Sequence, residues 1–520
     1  MVIKEINRGG AFLFLLCAAI ISYLIIVPGY FPSLGVSISL GLLSTLVYFF
    51  KNQKTKFTAI LYIFTLIFSF FIFYRANGFL TFLNTMAVIF LGSLMALSNK
   101  NDHKFGFFNF VLSPLNLFFN SLKTTSNYVL DFSLPFKKMR NNQDKLGEIV
   151  KSLVLSLVIL VIIIPLLASA NPFFNNLVNN FLDFFDLTNF FNNLDAIVVL
   201  RIIFFLILAI LIPRMVTFSN ETNDKFLVIG NAISSFNLLL PKILVSITLC
   251  IFFITQAQLY FASNETLQTL GYSHSQYARE VFGQLTVVCL IILVVIYNDK
   301  NYKKLSKTLT YLLILEGIFL SLIAFKSVFD YSQAWGFTHK RLWGFTGVFW
   351  SLAMFSYFSY VYSKKLSDSV FIKGAVIISS ITLLAVNIVN FDFLIYHYRK
   401  SATGSGIDYA YLARLSPDSE AYNLIIDQID KGQIKGEGYS AIFKIRRLQE
   451  KYKNVDYRII NWSEYKQYQK VKDVDTEHYY RLLESQFLPP PPPIIINEEI
   501  KPTIYIQTQP LIPPVVYQDY

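Results

Sequence analysis

Charge is scarce in this chain. Of 520 residues only 15% are Asp, Glu, Lys or Arg, against roughly 25% in a soluble protein of ordinary composition. That is too little charge to cover the several globular domains a chain of this length would otherwise suggest. Cysteine is scarcer still. Cys17, Cys250 and Cys289 all fall in apolar segments with no CxxC spacing, which excludes a disulfide framework and leaves them as small buried hydrophobes. The five histidines are scattered, at 103, 274, 339, 397 and 478, without paired metal-ligand spacing. A Gly-rich phosphate loop, an HExxH and a GxSxG are all missing. The sequence therefore points to no metal, no cofactor and no recognisable catalytic motif.

What the chain does have is apolar length. Residues of the AVILMFWYC class make up 54% and the mean hydropathy is +0.48. Stretches of about 17–25 apolar residues can cross a bilayer as helices. Eleven such stretches occur, near 11–27, 34–50, 57–74, 79–97, 149–169, 196–212, 242–261, 283–297, 309–325, 343–362 and 371–389. The first follows Lys4 and Arg8 as a signal peptide would, but it runs into Pro28-Gly29 without a small-residue cleavage site and reads as a retained helix. The abundant Phe (51) and Tyr (31), with many Asn, Ile and Lys, are the residues AT-rich codons supply. Their number alone is no sign of an aromatic binding site.

The formal net charge of +12 divides unevenly. Residues 390–520 hold 16 basic and 17 acidic residues, while residues 1–389 hold 29 and 16. The excess sits in short loops between apolar segments, where it sets membrane orientation rather than binding nucleic acid. With the N-terminus cytoplasmic, 23 loop Lys and Arg fall on the inner side. Only Arg75, Arg279, Lys326, Lys340 and Arg341 fall on the outer side. Eleven crossings then place the C-terminal region outside.

The expected architecture is an all-α polytopic membrane bundle with a small soluble helical domain and a Pro-rich tail. Residues 1–100 form a four-helix membrane segment and 101–148 a cytoplasmic loop, whose stretch 105–135, broken at Ser113-Pro114, suits short surface-lying helices. Residues 149–395 form the main bundle, with an amphipathic helix from Asn171-Pro172 flat on the outer leaflet. Residues 404–488 form the soluble domain, in which a helix starts at Ser416-Pro417 and ends at Gly432, and others cover about 438–453 and 462–486. Residues 489–520 are an extended tail, a possible docking segment for a protein partner.

Ionisable residues inside spans are costly and mark function or pairing. Arg201 and Glu316 are the two. They could pair with each other, or Arg201 could snorkel outward beside Asp195, or Glu316 could be an ion or proton site in a transport path. Three outer-face stretches concentrate the remaining polar groups: Arg279 and Glu280; Lys326, Asp330, Tyr331 and Arg341; and Asn387 and Asp392. If they end at one membrane surface they form either a ligand site or a charge network holding helix ends together.

These stretches also carry a resemblance. Tyr277-Ala-Arg279-Glu280-Val-Phe282 is similar to the YxREGF motif of a bacterial multi-pass membrane family known as a domain of unknown function (4173, related to 4153). Lys326 to Tyr331 with Trp335 to Leu342 resembles its R…LYxxxYGLTxxRL. Asn387-Ile-Val-Asn390-Phe-Asp392, Asp408 to Asp418 and Trp462 to Tyr465 resemble its later motifs, over roughly residues 220–470. Lys326 stands where the family has arginine, and loses the bidentate fork. The resemblance implies an inner-membrane location and this architecture, but no activity. Three functional classes follow: a ligand- or partner-binding scaffold with its site at the outer face, a secondary transporter using Glu316 and Arg201, or an enzyme on lipid-linked substrates using Glu280 or Asp392.

Overall fold

The computed structural model describes residues 8–25, 32–51, 54–98, 288–297, 304–398 and 407–485 apart from 435, with single positions at 113–114 and between 201 and 253. Among these, all regular structure is helical. Arg279, Glu280, the span at 149–169, the outer amphipathic segment from Asn171 and the Pro-rich tail lie outside the described residues. So does the inner segment 105–135, save Ser113 and Pro114, which are helical.

The bundle opens with α1 (Arg8–Ile25), α2 (Leu34–Phe50), α3 (Lys56–Tyr74) and α4 (Gly78–Leu97). It resumes with α5 (Val288–Tyr297), α6 (Lys304–Trp335), α7 (His339–Ser363) and α8 (Asp368–Val389). Four of these starts have a local cause. Ser33 caps α2, Thr55 and Thr58 cap α3 reciprocally, Asn77 caps α4 and Thr338 caps α7, so side chains accept the first unpaired backbone N–H groups. Helices α3, α4, α6 and α8 are long and apolar enough to cross a membrane. At 32 residues α6 is about 48 Å long. It therefore overruns a hydrocarbon core of about 30 Å.

A small apolar core of Phe14, Ile21 and Leu46 joins α1 to α2, and two larger ones hold the remaining helices. One joins α2, α3 and α4 around Leu61, Phe68, Leu94 and Met95 and reaches Val376 of α8. The other joins α5, α6, α7 and the start of α8 around Ile292, Leu320, Phe355 and Phe371. Outward-facing side chains such as Phe70, Phe319 and Ile381 are apolar and at least half exposed, as a helix facing lipid rather than water requires. The molecule is an integral membrane protein built as a helical bundle.

A compact helical domain follows: α9 (Phe391–His397), α10 (Tyr409–Arg414), α11 (Tyr422–Asp430), α12 (Tyr439–Tyr452), α13 (Trp462–Val471) and α14 (Thr476–Ser485). Its core of Tyr422, Ile425, Ile429, Ile445 and Tyr452 also takes in Leu342 of α7 and Ile395 of α9. The domain is therefore seated on the bundle. Two local expectations need correction. The helix expected over 462–486 is α13 and α14, separated by a turn in which Val474 N donates to Val471 O. The start expected at Ser416-Pro417 is a 3-10 turn, Pro417–Ser419, because Glu420 takes a left-handed φ of 62° and stops it; α11 begins only at Tyr422.

Candidate functional site

The site is assembled from helix ends. Arg75-Ala76-Asn77 links α3 to α4, Thr338 and His339 open α7, Asn387 to Asp392 links α8 to α9, and Ser416 to Asp418 lies in the terminal domain. All of them meet at one end of the bundle. There the domain also touches α1 and α2: Leu34 N donates to Ile460 O at 2.7 Å, and Arg458 stacks on Tyr23 with its guanidinium 4.4 Å from the ring centre.

At the centre lie two buried carboxylates, Asp392 and Asp418, 2% and 5% exposed. Asn77 touches both. Its main-chain N–H and that of Ala76 donate to Asp418 Oδ2, each at 3.0 Å. Its side-chain Nδ2 donates to Asp392 Oδ2 at 2.7 Å, while its Oδ1 still caps α4 by accepting from Leu80 N. Asp392 Oδ1 accepts from Ser416 N and lies 3.1 Å from His339 Nε2. The imidazole's other nitrogen lies 2.9 Å from the Tyr411 hydroxyl, which also accepts from His339 N. An ionised carboxylate can only accept, so Nε2–H donates to Asp392. Burial alone would raise the Asp392 carboxyl, but His339, Asn77 and the Ser416 N–H outweigh it and hold the group below its ordinary range. Asp418 goes the other way: burial raises it, and the neighbouring Asp392 adds to this against Ser463 and Arg75. Burial also raises the Tyr411 phenol, so this hydroxyl serves to orient the imidazole rather than to act as a phenolate nucleophile.

Below the carboxylates, Arg75 turns back into the bundle. Its Nε donates to Asn387 O at 2.8 Å, and its Nη2 donates to Asn387 O and to Ile388 O. These are orphan carbonyls at the C-terminus of α8, where a cation is electrostatically favoured. Arg75 O in turn accepts from Asn461 Nδ2 of the domain at 2.7 Å. One layer deeper, Asn84 and Asn387 exchange two amide hydrogen bonds, both 2.8 Å. Asn390, at a left-handed φ of 52°, caps α9 through Oδ1 and donates through Nδ2 to Asp418 O.

Of the residues singled out in the sequence, Asn387 and Asp392 are in this network. Arg341 and Tyr331 lie beside it and pair with each other, the guanidinium 3.9 Å from the ring centre. They flank the turn at Gly336, whose φ of 74° suits glycine. Lys326 and Asp330 form an ion pair of 2.6 Å along α6, each side chain 56% exposed, a surface pair of small energetic weight. Glu316 takes its hydrogen bonds from Ser246 and Cys250 rather than from Arg201. The Arg201 guanidinium lies over the Tyr23 ring at 5.4 Å and feels Asp456 of the domain. Among the described residues no group of three or more His, Cys, Asp or Glu could hold a metal. Arg75, Asn77, Asn84, Tyr411, Asp418 and Asn461 were not among the expected site residues. Arg75 left a trace as one of the few basic residues on the sparsely charged side, and Tyr411 and Asp418 as members of the stretch Asp408 to Asp418 that carries the family resemblance.

An apolar helical bundle with a helical domain fixed to one end by buried polar groups defines a class: polytopic integral membrane proteins with a helical domain packed on one end of the bundle. The chain belongs to the family described as Domain of unknown function (DUF4153), whose model matches residues 59–424. The match begins well before the stretch 220–470 that the motifs suggested, and ends within α11. Arg75, Asn77, His339, Asp392 and Asp418 all fall inside it; Asn461 does not. No curated protein and no solved structure matches the chain.

Proposed function

We propose that the protein is a membrane scaffold that holds its C-terminal helical domain at the extracytoplasmic face of a bacterial cytoplasmic membrane, for binding a ligand or partner there and signalling through the bundle. The observation that carries this reading is the double grip of Asn77 on Asp392 and Asp418. A domain that needed only a tether would sit on apolar contacts. A buried polar joint instead fixes one geometry and is sensitive to any force that parts its donors from its acceptors. The outer-face residues Arg341, Tyr331, Asn387 and Asp392 belong to that joint or border it, and Lys326 and Asp330 stand exposed beside it.

The orientation is supported by charge. The end bearing the domain carries Arg75, Lys326, Lys340 and Arg341, whereas the opposite end carries Lys51, Lys54, Lys56, Lys304, Lys307, Lys364, Lys365 and Lys373. The richer end belongs in the cytoplasm. The test is thiol labelling in intact cells. Asp473→Cys, in a Cys250→Ala background, places a thiol on the exposed turn after α13. A membrane-impermeant maleimide labels it without lysis under this reading; labelling only after lysis contradicts it. A second reading, transport, has one observation in its favour: Glu316 is buried within the apolar bundle.

A further inference from the structure

Glu316 lies on α6, 4% exposed, among the side chains of the second apolar core. Both donors that reach it go to the same oxygen. Ser246 Oγ donates to Oε1 at 2.7 Å and Cys250 Sγ donates to Oε1 at 3.5 Å. The other oxygen, Oε2, is fully buried with no hydrogen-bond partner among the described residues. Among the described residues the surroundings hold no compensating cation. The segment carrying Ser246 presents Cys250 as its titratable group facing the carboxyl. Helix α5 offers Cys289, which lies against Gly317 O and Ser321 Oγ instead. Helix α7 packs Phe355 against Gly317 and gives Ser351 to Ser321. Lys242 is engaged nearer the lysine-rich end by Ser306 and Thr310. From Thr310 to Glu316 is six residues, about 9 Å along the helix.

A carboxylate spreads its charge over two oxygens and needs donors at both; buried with one oxygen bare, it is among the most costly groups a fold can hold. A neutral carboxylic acid accepts at its carbonyl oxygen, where Ser246 and Cys250 are, and leaves on Oε2 an uncharged O–H, whose unpaired burial costs far less than that of a bare anionic oxygen. The asymmetry of the site matches the acid and not the anion. We propose that Glu316, with Ser246 and Cys250, is an intramembrane proton-binding site whose ligand is carried on Oε2. The step is simple protonation: Oε2 takes a proton from hydronium, leaving water, and returns it to water or hydroxide. This site is separate from the polar joint under the C-terminal domain and does not depend on the scaffold reading. A protein that binds a proton here need not carry any other solute.

The test uses the full chain in phospholipid vesicles and the apolar reagent N,N′-dicyclohexylcarbodiimide, which adds only to an undissociated carboxyl. Peptide mapping by mass spectrometry reads the adduct at Glu316 between about pH 6 and about pH 9, the range in which buried glutamates can titrate. The expected result is strong labelling at the acid end that falls about tenfold per pH unit above the midpoint, and no adduct on that peptide in Glu316→Gln. If the variant does not fold, the wild-type profile decides alone, with chain unfolded in detergent as the control for peptide recovery. Absence of the adduct across the range overturns the proposal. So does labelling that never changes with pH, since a proton that cannot leave is not a bound ligand.

Discussion

Asparagine presents an acceptor and a donor on one short side chain, and three asparagines here use one end to cap a helix and the other to bridge to another segment. Asn77, Asn390 and Asn461 each cap their own helix through Oδ1 and reach a different segment through Nδ2. Aspartate could cap equally well, but it has no donor for the second task. Asn77 is the sharpest case, because its Nδ2 faces Asp392. In Asn77→Asp the cap survives while two carboxylates meet in a buried site, a loss of about 3–5 kcal/mol. Asn77→Ser keeps the cap and loses only the bridge, about 1–3 kcal/mol. Thermal unfolding of the purified protein should rank wild type above Asn77→Ser and Asn77→Ser above Asn77→Asp. Wild-type stability in Asn77→Asp would mean the bridge is not made.

At the scale of elements, the joint is a convergence of helix ends rather than a packing of helix faces. Ends carry unpaired N–H and carbonyl groups that need partners. The turn before α4 gives two N–H groups to Asp418, and the C-terminus of α8 gives two carbonyls to Arg75. The passage from α8 to α9 is one residue, Asn390, held at a positive φ that costs most L residues about 1–2 kcal/mol and β-branched ones more. Asn390→Gly should therefore lose only the side-chain bonds, whereas Asn390→Val adds backbone strain. A lower melting temperature for the valine variant than for the glycine variant checks this; equal values would indicate that the chain passes from α8 to α9 differently.

Across the whole molecule, the sequence made the helices legible because lipid demands apolar runs, and α2, α3, α4 and α8 begin and end within three residues of those runs. The polar joint was only half legible. Asn387 and Asp392 stood out as polar groups just after a long apolar run. Their partners did not: Asn77 and Asp392 are 315 positions apart, Asn84 and Asn387 are 303 apart, and nothing local in Arg75-Ala-Asn77 says what it will meet. The high asparagine content, explained well enough by codon bias, concealed the three that matter. His339 was visible as a loop histidine, yet its role depends on Tyr411 and Asp392, which only the tertiary structure brings to its two ring nitrogens. Pairing fails as a guess for Arg201 and Glu316 for the same reason. Burial cost says each needs a partner but not which one, and the fold gives Arg201 an aromatic ring and Glu316 a hydroxyl and a thiol.

The central claim is that the C-terminal domain is locked onto the α3–α4 turn, and amide hydrogen exchange at Ala76 and Asn77 tests it most directly. These two amides lie in a connection of three residues, where exchange would be fast if the turn faced solvent. The structure predicts slow exchange at both in the intact chain and a large acceleration in Asp418→Ala, with the apolar middle of α3 unchanged. Fast exchange at Ala76 and Asn77 in the unmodified protein would contradict it.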